Sequence, residues 1–332
     1  MTKNANFKRR VRARAAKTGE SYTASLRHLR ETTPVPPETG AGSLLLAVAQ
    51  TTLCNDPRDI AALRATGEEM RSLMRRARQA GARLIHFPEG ATCSPNKRIM
   101  SLTGLREIGP SDWSRVEWAA LRAELDAIRR EAAKLGLWAV FGSVHPLTPP
   151  HRPHNSLYVV SDRGELVTRY DERMLSATKI SFMYAPGRLP ITFEVDGLRF
   201  GCTLGMEAHY PEIFGAYEAL DVDCVLFSTT GETSPNAPAF AAEVLGHASA
   251  NSFWVSYAAH AAQSETVPSG IAAPDGLWAA QCTMDGQPSF AIATITVDPA
   301  HQARPWRRSA RGGIYDAHQI HGDPKSERRD SF

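Results

Sequence analysis

Three short stretches concentrate side chains that can do chemistry. Phe87-Pro88-Glu89 closes an apolar run with one carboxylate, a group that can take and return a proton. Glu207 and His209 follow the run Leu198–Leu204, and together they offer oxygen and nitrogen ligands for a divalent metal. Ser228-Thr229-Thr230-Gly231 follows another apolar run, where Thr229 and Thr230 either touch a substrate or make a turn. Each stretch also has a plain structural reading. Glu89 can cap a turn, Glu207 can be a structural hydrogen-bonding carboxylate, and His209 can sit on the surface at a helix start. His86 reads as a satisfied interior histidine. The five cysteines, Cys54, Cys93, Cys202, Cys224 and Cys282, are scattered and odd in number, with no C-x-x-C pair. That argues against a disulfide framework and a structural zinc site, and a reducing cytoplasm is the expected location.

The elements that must hold these residues alternate between strand and helix. Strands are expected at Ser43–Gln50, Ala82–Phe87, Leu137–Val144, Asn155–Ser161, Glu165–Tyr170, Ile191–Val195, Leu198–Leu204, Val222–Ser228, Ser252–Ala258, Leu277–Cys282 and Phe290–Val297. Helices are expected at Arg58–Gln79, Trp113–Leu135, Pro211–Ala219 and Ala237–Ala250. Apolar residues Ile60, Leu63, Met70, Leu73 and Met74 give the first helix one greasy face. Asp162-Arg163-Gly164 and Asp196-Gly197 mark hairpins. Interleaving of this kind implies an α/β fold with sheets covered by helices.

Hydrophobic residues make up 42% of the 332 and charged residues 22%, so the chain reads as an ordinary globular protein. No run of 18 apolar residues is present, and no membrane span or secretory signal is expected. The net charge of +3 is uneven: residues 1–31 carry nine lysines and arginines against two acids, which leaves about −4 for the rest. Residues 1–31 read as a basic helical hairpin arm, 32–42 as a Pro/Gly linker, 43–300 as the main domain and 301–332 as a polar tail. Contact with nucleic acid is expected only through residues 1–31, and no base-reading motif accompanies the charge.

The order of landmarks resembles the nitrilase superfamily, the carbon–nitrogen hydrolases. They are Ala47–Gln50 at the first strand end, Phe87-Pro88-Glu89, Asn155 through Tyr170, Tyr184-Ala185-Pro186-Gly187, Gly201 through Glu212, Ala250 through Val255, and Gly270 to Gly276. The likeness covers residues 43–300. It implies a four-layer α-β-β-α sandwich and a homodimer or larger assembly. It also implies a small-molecule substrate and no cofactor.

The family's reaction pairs a cysteine thiolate with a glutamate and a lysine. By resemblance Glu89 fills the glutamate's place. Glu172 occupies the lysine's place and Gly205 the nucleophile's. Where the family keeps a further acid before Tyr-x-Pro-Gly, this chain has Lys179, Ile180 and Ser181. Arg173 neighbours Glu172 but points to the opposite side of an extended chain. Cys202 lies an odd number of residues from Gly205, so it reads as a small core residue.

Two carboxylates in one pocket should repel, and then share a proton or bind a cation. The leading expectation is a diverged enzyme acting on a small nitrogen-containing molecule by acid–base chemistry without a thiol. Glu172, Glu207 and His209 would be the ligands of a divalent metal if one takes part. Two alternatives stay open. One is an inactive binding or regulatory subunit with residues 1–31 as a docking arm. The other is a conventional thiol amidase or nitrilase, should the motif register be shifted.

Overall fold

The computed structural model describes residues 42–231, 239–297 and 303–328. The basic hairpin and linker expected at the N-terminus lie outside the described residues, as does the expected helix start at Ala237. Residues 41–298 belong to one compact unit.

That unit is built on two six-stranded sheets. The first runs β12 (Ser289–Thr296), β1 (Ser43–Gln50), β2 (Leu84–His86), β3 (Trp138–His145), β4 (His154–Val160), β5 (Leu166–Asp171). The second runs β11 (Trp278–Gln281), β10 (Gly270–Ala272), β9 (Trp254–Ala258), β8 (Cys224–Ser228), β7 (Leu198–Leu204), β6 (Thr192–Val195). Strands β1, β2 and β3 are parallel, as are β7, β8 and β9.

The period-two pattern of β1 shows how the layers stack. Leu44, Leu46 and Val48 face the second sheet and join Phe200, Leu204 and Leu226 in the inter-sheet core. Ala47 and Ala49 face outward against helices α1 (Ile60–Gln79) and α3 (Trp118–Leu135). On the other side, Val225, Phe227, Val255 and Tyr257 pack under α4 (Pro211–Ala219) and α5 (Ala239–Asn251). Helix, sheet, sheet and helix follow one another, the four-layer sandwich expected from the sequence. A short helix, α2 (Lys97–Met100), sits between α1 and α3 in the chain.

Element ends follow local chemistry. Asp59 accepts from the Ala62 N–H, so α1 begins at Ile60, not at Arg58. The helix expected over Trp113–Leu135 is broken. Asp112 caps a single turn at Trp113–Arg115, the chain extends at Val116, and α3 starts at Trp118. Gly136 then ends α3 in the left-handed region. Among the described residues no helix is long and apolar enough to cross a membrane. Residues 303–328 form part of a separate unit. The stretch expected as a polar tail carries helix α6 (Ala303–Arg311), which ends at Gly312-Gly313.

One glycine matters for the site. Gly142 in β3 donates to the Pro88 carbonyl at 3.1 Å and accepts from the Thr92 N–H at 3.2 Å. A Cβ there would lie 2.2 Å from the Gly90 nitrogen and 2.5 Å from the Pro88 oxygen. The loop carrying Glu89 therefore rests directly on bare backbone. Gly142→Ala must push that loop away, at a cost of roughly 1–3 kcal/mol. Urea unfolding measures it, and an unchanged midpoint would contradict this packing.

Candidate functional site

The carboxyl ends of β2, β5, β7 and β8, with the start of β4, converge at one edge of the sandwich. They bring together Glu89, Glu172, Gly205, Thr230 and Asn155. Glu89 is placed by its own backbone: its carbonyl accepts from His260 Nε2 at 2.9 Å, and the Phe87 carbonyl accepts from the Ser228 hydroxyl at 2.9 Å. His260 is fully buried, and burial lowers its pKa, which suits a neutral ring that donates from Nε2. His86 is held between Ser256 and Ser228, the satisfied interior histidine expected.

The two carboxylates face each other, and an ammonium group joins them. Lys179 Nζ lies 2.5 Å from Glu89 Oε1 and 2.7 Å from Glu172 Oε2. Asn155 Nδ2 donates to both acids, at 2.8 Å to Glu89 and 2.6 Å to Glu172. The Thr230 N–H donates to Glu89 Oε2 at 3.1 Å. The side chains of Glu89, Glu172 and Lys179 are 4%, 0% and 14% exposed, so their charges interact across little water. Burial pushes the Glu172 carboxyl up to about 7; Lys179 opposes that push and Glu89 adds to it. Burial works against the Lys179 charge, but the two carboxylates outweigh it and hold its pKa above the ordinary value. Lys97 lies near the same group and hydrogen-bonds Thr178. Its pKa is lowered by burial and then by repulsion from Lys179.

Gly205 has φ +55°, and a Cβ on it would lie 2.5 Å from Glu172 Oε1 and 3.0 Å from Lys179 Nζ. The space beside that backbone is thus filled by the ion pair. Glu207 sits below it and is fully saturated. It accepts from the Tyr170 hydroxyl (2.6 Å) and the N–H groups of Leu204 (2.9 Å), Arg173 (2.7 Å) and Met174 (3.2 Å). It ties the end of β5 to the end of β7, the role of a structural hydrogen-bonding carboxylate. His209 instead pairs with Glu243 at 2.7 Å and stacks on Phe240.

The metal grouping of Glu172, Glu207 and His209 is therefore not assembled: Glu207 is spent on four donors and His209 points to another helix. Among the described residues no cluster of three histidines, cysteines or acids fit for a metal occurs. Of the two threonines, Thr230 reaches the site through its backbone, while the Thr229 hydroxyl accepts from the Gly231 N–H in a turn. Arg173 packs over the Tyr170 ring and donates to its hydroxyl. All five cysteines are free and buried. Cys202, Cys224 and Cys282 lie in the inter-sheet core, and Cys54 and Cys93 share a small cluster of their own. Asn155 and Lys179 are the partners that sequence reasoning did not assign. The signal for Lys179 was a basic residue where the resemblance implies an acid.

The carbon–nitrogen hydrolase family model matches residues 45–307, and the chain belongs to that family. Solved structures share the fold at low identity. A cysteine-to-alanine mutant of the Nesterenkonia AN1 amidase from the nitrilase superfamily superposes with a TM-score of 0.65 at 15% identity. The match covers 85% of this chain and 99% of that one. A mutant of the same Nesterenkonia amidase in complex with butyramide gives 0.61 at 17% identity, covering 82% and 97%. A third carries the acetamide moiety of fluoroacetamide on its active-site cysteine, with 0.62 at 15% identity and coverage of 84% and 97%.

The raised Glu172 pKa carries a stability signature. Its folded value of about 7 exceeds the ordinary 4.5. The stabilisation from its bound proton is thus complete below 4.5 and is lost as pH rises through 7. Between pH 5 and pH 8 the wild type is expected to lose stability relative to Glu172→Gln. Urea titrations at the two pH values decide this, and parallel profiles would contradict it.

Proposed function

We propose that this chain cleaves a small amide-type molecule at the Glu89–Lys179–Glu172 cluster by acid–base chemistry, without a covalent sulfur intermediate. The observation that carries this is the position of Lys179 Nζ between the two carboxylates. By family resemblance, Glu172 stands where a lysine is kept and Lys179 near where a further acid is kept. The cluster thus holds the family's charge inventory, two carboxylates and one ammonium, with two charges exchanged between positions. Gly205 stands in the nucleophile's place, and its neighbour Glu172 fills the vacated volume.

An ammonium group stabilises the negative charge that develops on an amide oxygen. Glu89 is the group to take a proton from an attacking water. Glu172, with its carboxyl near 7, is able to return one to the departing nitrogen. The water oxygen bonds to the carbonyl carbon, the C–N bond breaks, and the amine leaves with the proton. The amide class is carried over from the Nesterenkonia amidase bound to butyramide.

A second reading, a non-catalytic binding or regulatory subunit, is favoured by one feature. All four carboxylate oxygens of Glu89 and Glu172 already accept hydrogen bonds.

Ammonia release from butyramide and a panel of other short amides tests both. Turnover is expected, reduced about 100-fold or more in Glu89→Gln and Lys179→Met. It is expected to survive Cys202→Ala and alkylation by iodoacetamide. Inactivation by alkylation of one cysteine would overturn the proposal in favour of thiol hydrolysis. Amide binding without turnover, abolished by Lys179→Met, would establish the second reading.

A further inference from the structure

A cavity of about 370 Å³ lies between α3 and the outer face of β3, β4 and β5, apart from the carboxylate cluster. Its volume falls in the range of small-molecule sites. Phe141, Leu125 and Leu166 supply apolar lining, and Tyr158, His145 and Arg122 supply the polar groups.

The polarity of the hydrogen-bond chain behind Tyr158 is fixed by chemistry. Arg169 binds Asp171 through Nε at 2.7 Å and Nη2 at 3.0 Å, and its Nη1 meets His145 Nε2 at 2.6 Å. A guanidinium has no acceptor, so His145 Nε2 must accept. The ring proton then sits on Nδ1, which donates to Tyr158 Oη at 2.7 Å. Burial and the adjacent Arg169 charge hold the His145 pKa down at about 4, so the ring stays neutral. Tyr158 thus accepts from His145 and keeps its own O–H hydrogen. Among the described residues that hydrogen has no acceptor.

Charge at the rim points the same way. Arg122 is exposed on α3 and forms no ion pair among the described residues. The lining carboxylate Asp126 is already near Arg129, at 3.5 Å. The cavity therefore offers a phenol donor and a free guanidinium above an apolar floor.

We propose that this cavity binds an organic carboxylate with an apolar body, its oxygens accepting from Tyr158 and Arg122. Calorimetric titration of the full chain with hexanoate, against hexan-1-ol as the uncharged counterpart, tests it. Hexanoate is expected to bind one per chain and not to be displaced by butyramide. Arg122→Gln and Tyr158→Phe are each expected to weaken it about tenfold, the worth of a charge-assisted hydrogen bond. Arg122 is exposed, so its variant keeps the fold and the experiment stays informative. Equal affinity for hexan-1-ol, displacement by butyramide, or affinity unmoved by the two variants would overturn the proposal.

Discussion

Two acids buried within reach of one shared amide cannot both ionise without a cation between them. Lys179 is that cation, and the rest of the site is arranged around it. Asn155 adds a neutral donor to both acids, and the Thr230 N–H serves the remaining Glu89 oxygen. Removing one member of such a buried group leaves an unpaired charge, which is more costly than the pair is favourable. The arrangement is therefore held as a unit, drawn from segments that follow strands of both sheets, from Asn155 in β4, and from the turn that carries Lys179.

The scaffold separates holding from reacting. Glu207 spends all its acceptors on the ends of β5 and β7, so the segments bearing Glu172 and Gly205 keep a fixed spacing. Gly142 lets the Glu89 loop settle on β3, and His260 fixes its carbonyl. None of these three groups contacts the Lys179 ammonium.

Much of the frame was legible in the sequence because period-two alternation and turn residues are local signals. Strands β1 and β7 and helix α4 match their expected bounds, and Cys202 falls in the core as its odd offset from Gly205 required. The break at Val116 was not legible, since the apolar pattern continues across it and the Asp112 cap marks a helix start just where one was expected. The centre of the site was half legible. Glu89 and Glu172 stood out by position, but the role of Lys179 did not. It is ninety residues from Glu89 and reaches it from a single wide turn at Lys179–Met183, closed by the Tyr184 N–H on the Lys179 carbonyl. Asn155 was visible as a landmark, but its bridging of two acids depends on side chains meeting across strands. The metal grouping failed because closeness in sequence did not mean convergence: Glu207 and His209 are two residues apart and serve different neighbours.

The tight fit of Lys179, Glu172 and Gly205 also limits which single substitutions the site can accept. From this arrangement, Glu172→Lys alone would set two ammonium groups against one carboxylate. Lys179→Glu alone would crowd three acids together. Gly205→Cys alone would drive a sulfur into an occupied carboxylate. Each of these single substitutions leaves either an unbalanced charge or an overlap, so positions 172, 179 and 205 tolerate a change of character only in concert.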